Sequence, residues 1–213
     1  MSTNTTSVWR KKLKELEIVV VIPTYNNGKT LAAVIEEVCR YADDIIVVND
    51  GSTDDTANIL EQYPAIRTIT HPVNKGKGTA LKHGLSQAKK EGFRYAITID
   101  SDGQHFASDI PCFIEAIEKE PDTLLVGARN LASDNMPGKN TFANKFSNFW
   151  FRLETGLKLE DTQSGYRLYP LRKMDVQSCW YTAKYEFELE AIVFAAWGDV
   201  VAVSYTHLRA HET

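Results

Sequence analysis

Asp100 and Asp102 stand two residues apart in the run Asp100-Ser101-Asp102-Gly103-Gln104. The apolar stretch 95–99 precedes them and reads as a buried strand. Side chains alternate along extended backbone, so acids at this spacing project to one side. Just past a strand end, that side is the crevice in which open α/β sheets bind ligands. Close carboxylates repel, and a hard divalent cation relieves the repulsion. Mg²⁺ takes one or two carboxylates together with substrate phosphates, and Gln104 offers a further neutral oxygen. Gly103 lets the backbone turn sharply beside a ligand. The pattern points to metal-assisted chemistry on a phosphate or a sugar nucleotide. The alternative is a surface turn with solvated acids, because the pattern is short.

Three further polar loops fall in equivalent places. Pro23-Thr24-Tyr25-Asn26-Asn27-Gly28 follows a first apolar run, and Asn49-Asp50-Gly51-Ser52-Thr53-Asp54 a second. His71-Pro72-Val73-Asn74-Lys75-Gly76-Lys77-Gly78 follows a third. Asp50 can accept hydrogen bonds from the N–H groups of a nucleobase, or serve as an acid at a helix N-terminus. Lys75 and Lys77 lie among glycines, which suits phosphate contact; a solvated turn is the other reading. Four polar loops at the carboxyl ends of successive strands favour one shared site.

The elements that must position these loops alternate. Strands are expected at 18–22, 45–48, 66–70, 95–99 and 123–127. Helices are expected at 30–41, 54–62, 78–91 and 110–119, with Ser52 or Thr53 capping the second. This rhythm predicts an α/β fold with a mostly parallel sheet and helices on both faces. Beyond Arg129 the rhythm breaks into a polar loop, 131–140, and an aromatic-rich helix holding Phe142, Phe146, Phe149, Trp150 and Phe151. At helical spacing those aromatics suit a core, although a membrane-facing or acceptor-facing patch would use the same residues. A short strand at 168–169, a helix over 186–197 and a last strand at 200–203 complete the chain.

Composition sets limits. A length of 213 residues, 43% hydrophobic and 24% charged, suits one globular domain with a sizeable core. A net charge of −4 gives no footprint for nucleic acid. Cys39, Cys112 and Cys179 are scattered through apolar patterns, as reduced cytosolic thiols would be. No apolar run approaches the roughly 20 residues that span a bilayer. Residues 1–17 are too polar for a signal peptide and read as a polar extension. Within it, the basic stretch 9–16 reads as a solvated leading helix, with contact to anionic lipid as the other reading. His71 and His83 look ordinary, and His105 suits a supporting or loop role better than ligation beside hard oxygen donors.

Taken together, IPTYNN at 22–27, NDGSTD at 49–54, NKGKG at 74–78 and DSDGQH at 100–105 resemble family 2 glycosyltransferases. DTQSGYR at 161–167 narrows the resemblance to the branch of dolichyl-phosphate mannosyltransferases and bacterial polyprenyl-phosphate glycosyltransferases. The resemblance covers 18–203, which would be the catalytic domain. It implies the Rossmann-like glycosyltransferase A-type fold, a UDP- or GDP-sugar donor, Mg²⁺ or Mn²⁺, and inversion at the anomeric carbon. It places Pro23, Tyr25 and Asp50 at the nucleoside, and Asp100, Asp102 and Gln104 at ribose, metal and diphosphate. Arg129 and Arg167 would face anionic groups near the acceptor. Asn27, Lys77 and Gln163 join the substrate-binding set, and Asp161 the catalytic one. The implied setting is cytoplasmic, peripheral to the inner face of the membrane in the full-length protein. Residues 204–213 lack the pattern that relatives carry after the last strand and read as a foreign or truncated end.

The chemistry depends on the acceptor. A lipid phosphate is already ionised at neutral pH, so arginine matters more than a base. A saccharide hydroxyl needs a base, for which Asp161 is the candidate; a loop acid capping Ser164-Gly165 is its other reading. A structural pairing with Glu186 or Glu188 is the other reading of Arg167. The readings that compete are transfer to a lipid phosphate, transfer to a saccharide hydroxyl, and non-catalytic nucleotide-sugar binding. A nucleotidyltransferase would carry a Gly-rich loop directly after the first strand, where PTYNNG stands.

Overall fold

Strand β1, Ile18–Thr24, is buried at every position. Its alternate side chains feed two cores. Ile18, Val20 and Ile22 enter one, while Val19 and Val21 enter the other, as period-two geometry requires. We describe the protein from a computed structural model, over residues 3–127, 164–174, 186–198 and 200–205.

Helix α1, Thr3–Glu15, leads into β1. Then come α2 (Leu31–Val38), β2 (Ile45–Asn49), α3 (Thr56–Glu61) and β3 (Arg67–Thr70). Helix α4 (Lys77–Lys90) and β4 (Tyr95–Thr98) follow, then a 3-10 turn at Ala107–Asp109 that runs into α5 (Ile110–Lys119). Strands β5 (Leu124–Gly127) and β6 (Arg167–Pro170), helix α6 (Glu186–Trp197) and β7 (Ala202–Tyr205) complete the described chain. The seven strands form one sheet in the order β3-β2-β1-β4-β6-β5-β7. Helices α2, α3 and α5 pack with α1 on one face, and α4 and α6 on the other. The expected α/β sandwich of helix, mostly parallel sheet and helix is the fold observed.

Strand β6 breaks the parallel run. It pairs antiparallel with both β4 and β5, with Thr98 opposite Arg167 on the β4 side. Sequence patterning marks a short apolar run there but carries no sign of direction. The antiparallel course has a consequence for function: the amino end of β6 lies beside the carboxyl end of β4.

Other differences have local causes. Helix α1 is docked, whereas a solvated leading helix was expected. Leu13 is 2% exposed, Trp9 packs against the same core, and Lys12 pairs with Glu118 at 2.7 Å. Helix α3 begins at Thr56 without a side-chain cap from Ser52 or Thr53. Asp54 serves its first turn instead, accepting from Thr56 N–H at 3.1 Å and from Gly28 N–H at 2.8 Å. Strand β7 extends to Tyr205, so the expected tail boundary at residue 204 falls inside a strand. Cys39 and Cys112 are half-buried; Cys179 and the aromatic helix around 142–151 lie outside the described residues.

Gly84 marks where α4 meets the sheet most closely. A Cβ there would stand 2.5 Å from Val21 Cγ1 and 3.0 Å from Val48 Cγ2. Both valines are fully buried and stiff at χ1, so neither can yield. Alanine would contribute about 1 kcal/mol of helix propensity, against about 1–3 kcal/mol lost to overpacking. We expect Gly84→Ala to be destabilising by about 1 kcal/mol in urea unfolding, the overpacking loss winning. An unchanged midpoint would contradict the contact.

Candidate active site

Strands β1, β2 and β4 run parallel, so their carboxyl ends finish at one edge of the sheet. The loops that leave them enclose a cavity of about 630 Å³. Pro23, Tyr25, Asn27 and Asp50 line it from the first two loops. Lys77, Asp100 and Asp102 line it from the start of α4 and from the loop after β4. Seven residues singled out from four separate stretches of sequence are thus brought to one hollow. Tyr25 lines the cavity and keeps 44% of its surface exposed.

Short hydrogen bonds stitch the loops together. Asn27 Nδ2 donates to Ser101 Oγ at 2.7 Å, and Thr30 Oγ1 donates to the Ser101 carbonyl at 2.6 Å. These tie the acidic loop to the start of α2. Asn26 N–H donates to Ser52 Oγ at 3.0 Å, and Thr53 N–H to Asn26 Oδ1 at 2.8 Å. Gly103, at φ +79°, makes the turn expected of it.

Asp50 is not an acid at a helix N-terminus, since α3 starts six residues later. It is 2% exposed and organises the lysine-glycine loop. Its Oδ1 accepts from Lys75 N–H at 2.9 Å, and its Oδ2 from Gly76 N–H at 2.7 Å. His71 Nδ1 lies 2.6 Å from Oδ1, and His71 Nε2 lies 2.7 Å from His83 Nδ1. His71, read as ordinary from sequence, is therefore a buried member of the site's frame. Burial and the neighbouring His71 and Lys75 hold the pKa of His83 below the usual imidazole value.

A compact charge cluster lies at the floor. Lys77 Nζ is 2.8 Å from Asp100 Oδ1, 3.0 Å from Asp100 Oδ2 and 2.8 Å from Glu188 Oε1. Burial alone would lower the lysine's pKa, but the two carboxylates outweigh it and raise it above the usual range. Burial would raise that of Asp100, yet His105 and Lys77 hold it well below the ordinary carboxylate value. His105 Nε2 stands 3.7 Å from Asp100 Oδ2, too long for a hydrogen bond. Gly165 closes the cluster from the amino side of β6. A Cβ there would meet Asp100 Oδ2 at 2.6 Å and Lys77 Nζ at 2.8 Å. Thr98 Oγ1 holds Gly165 in place through its carbonyl at 2.7 Å.

Two expectations change. Gln104 is exposed and outside the cavity lining, with its backbone N–H donating to Asp102 Oδ1 at 2.9 Å. Its amide is therefore not gathered with the acids as a third ligand, because the turn at Gly103 carries it outward. Arg167 is wholly buried. Its Nε donates to the Ser164 carbonyl at 2.7 Å and its Nη1 to the carbonyl of Glu188. A guanidinium so enclosed holds 164–165 against α6 and does not face an acceptor. The pairing weighed for it with Glu188 is made, but to the backbone. Arg129, Asp161 and Gln163 lie outside the described residues. Among the missed residues, Glu188 carried one signal, an acid at helical spacing from the apolar Ala191, Ile192 and Ala195. Gly165 carried none, since its role depends on what stands opposite.

Among the described residues, no three or more His, Cys, Asp or Glu side chains gather as a protein-only metal site would. Two carboxylates on one cavity wall still fit a hard cation that takes its remaining ligands from a substrate's phosphates. The donor chemistry of Asp100 and Asp102 thus suits Mg²⁺ or Mn²⁺.

Residues 19–176 match the family described as glycosyl transferase family 2. The chain is 32% identical to a UDP-N-acetylglucosamine–dolichyl-phosphate N-acetylglucosaminyltransferase of Methanococcus voltae, across 84% of this chain and 79% of that one. It is 28% identical to a dolichyl-phosphate beta-glucosyltransferase of Trichomonas vaginalis, across 70% of this chain and 52% of the relative, or about half its length. Among solved structures, glucosyl-3-phosphoglycerate synthase of Mycobacterium tuberculosis with Mn²⁺, UDP-glucose and phosphoglyceric acid superposes with a TM-score of 0.72. The identity there is 21%, covering 98% of this chain and 76% of that one, and the likeness is one of fold.

The loop anchored by Asp50 can be tested directly. Asp50→Ala strips the partner from two backbone N–H groups and from His71. Unpaired buried donors cost about 1–3 kcal/mol. We expect a stability loss of that order and faster proteolytic cleavage within 72–78. UDP binding should weaken in the same variant. Unaltered cleavage and unfolding would show that the loop stands without its carboxylate.

Proposed function

Because the chain belongs to glycosyltransferase family 2 and carries the glycosyltransferase A-type fold, we propose that it moves a sugar from a nucleotide-sugar donor, UDP- or GDP-linked, to a polyprenyl-phosphate-type lipid, with inversion. The observation that carries this reading is the cavity at the carboxyl ends of β1, β2 and β4. It combines an exposed tyrosine, a glycine-rich basic loop and paired acids. The lipid acceptor is supported by relatives named for dolichyl phosphate.

In this reading Pro23 and Tyr25 form the nucleoside wall, and Asp50 presents the loop that meets the donor. Asp100 and Asp102 would hold Mg²⁺ or Mn²⁺, which when bound stabilises the charge that develops on a departing diphosphate. Lys77 lies where it can meet the same phosphates. The acceptor phosphate is ionised at neutral pH. One of its oxygens attacks the anomeric carbon from the face opposite the diphosphate. The sugar–phosphate bond breaks, its electron pair leaves with the nucleoside diphosphate, and the configuration inverts. No proton need be removed, so Asp161 orients the acceptor together with Gln163. Arg129 supplies the compensating charge, as a planar fork matched to phosphate oxygens. Arg167 acts through position, by holding Gly165 against Asp100.

Among the described residues, no helix is long and apolar enough to cross a membrane. The relatives named for dolichyl phosphate support a reading in which the lipid-linked acceptor is met at the cytoplasmic surface of a membrane.

The test is transfer itself. The chain is incubated with Mn²⁺, labelled UDP- and GDP-sugars, and either polyprenyl phosphate or neutral oligosaccharides. Label should pass to the organic phase with polyprenyl phosphate, and EDTA should abolish it. Asp102→Asn should remove metal-dependent stabilisation by the nucleoside diphosphate and leave the fold intact by circular dichroism. Label appearing only on neutral saccharides would replace the lipid acceptor with a sugar hydroxyl.

A further inference from the structure

In the charge cluster one ammonium, that of Lys77, faces two carboxylates, those of Asp100 and Glu188. Lys77 Nζ is the same 2.8 Å from Asp100 Oδ1 and from Glu188 Oε1. Asp100 faces the cavity, while Glu188 lies behind it, its side chain 7% exposed. Glu188 comes from α6, where Phe187, Ala191 and Ile192 beside it are buried in the second core. Packing gives no reason for an acid at that position, and a buried charge is kept only where it is compensated.

Lys77 Nζ lies against both oxygens of Asp100, at 2.8 and 3.0 Å, so a divalent cation that takes this carboxylate competes with the ammonium for the same oxygens and is repelled by its charge. The lysine must then leave Asp100. Stripped of a carboxylate in a largely buried place, it would be strongly disfavoured. Glu188 already touches it. We propose that Glu188 is a positioning residue that offers Lys77 a second seat, so that a divalent cation can displace the lysine from Asp100. Glu188 thereby sets how readily the cation binds, although it ligates neither metal nor donor. This inference rests on the reading that Asp100 holds the cation. Gly165 sharpens the exchange, because its missing Cβ is what lets both charges lie against the backbone.

The experiment is titration of the full chain with Mn²⁺, alone and with UDP, by calorimetry and thermal shift. Glu188→Gln should weaken Mn²⁺ binding about tenfold, and Lys77→Met should tighten it by a similar factor. Glu188→Asp keeps the charge but shortens the reach, and should weaken binding as Glu188→Gln does. The double variant Lys77→Met/Glu188→Gln should behave like Lys77→Met, because a second seat is irrelevant once the lysine is gone. Should Lys77→Met fail to fold, the double variant stands in for it, and the comparison of Glu188→Asp with Glu188→Gln still decides. If Glu188→Asp binds like wild type, charge alone matters and the inference falls. It falls equally if the two single effects cancel in the double variant. Wild type that binds Mn²⁺ with all variants unshifted overturns this inference alone. Wild type with no Mn²⁺ response, with or without UDP, overturns the cation reading as well.

Discussion

Strand β1 is buried along its whole length, and buried backbone must find hydrogen-bond partners on both edges. Its partners β2 and β4 run in the same direction, with Val20 opposite Ile45 and Ile18 opposite Tyr95. Parallel strands in register finish together, so the loops that leave them share one edge. The cavity, the acidic pair and the lysine-glycine loop all owe their proximity to this arrangement. Helices on both faces keep the sheet dry. The carboxyl edge is then the place where polar side chains can gather with access to a ligand.

At that edge the protein keeps charges that a stable core would not need. An ion pair taken out of water recovers its desolvation cost only with good geometry, and apolar replacements are often as stable. Lys77 nevertheless spans Asp100 and Glu188, with His105 close behind. The cluster keeps Asp100 ionised in a partly buried place. Such local conflict between stability and chemistry is expected where a glycosyltransferase does its work.

Asp50 and Arg167 show a second theme: polar groups that act by holding backbone. Asp50 binds two N–H groups of the lysine-glycine loop, and Arg167 binds carbonyls from 164 and 188. Both sit inside the protein, where hydrogen bonds are strong and their loss leaves partners unpaired. Rigid loops of this kind hold a site open before a ligand arrives and lower the ordering cost of binding.

Much of this was legible in the residues. The apolar runs of β1, β2 and β4, the turn residues after them and the acids at 100 and 102 follow local rules of periodicity and backbone preference. Those rules act over a few neighbours, so the lining of the cavity could be assembled from short stretches, with Gln104 the exception because one glycine turned it outward. The other side could not. Whether β6 runs parallel or antiparallel depends on which strands flank it, and a four-residue apolar run looks alike either way. Its direction brings Gly165 to Asp100 and encloses Arg167. The choice of Glu188 as a partner for Lys77 depends likewise on where α6 packs against the second face. Sequence determined which residues could carry charge at a strand end. Tertiary structure alone decided which charges meet, because an ion pair is specified by distance in space and residues far apart along the chain share no local signal.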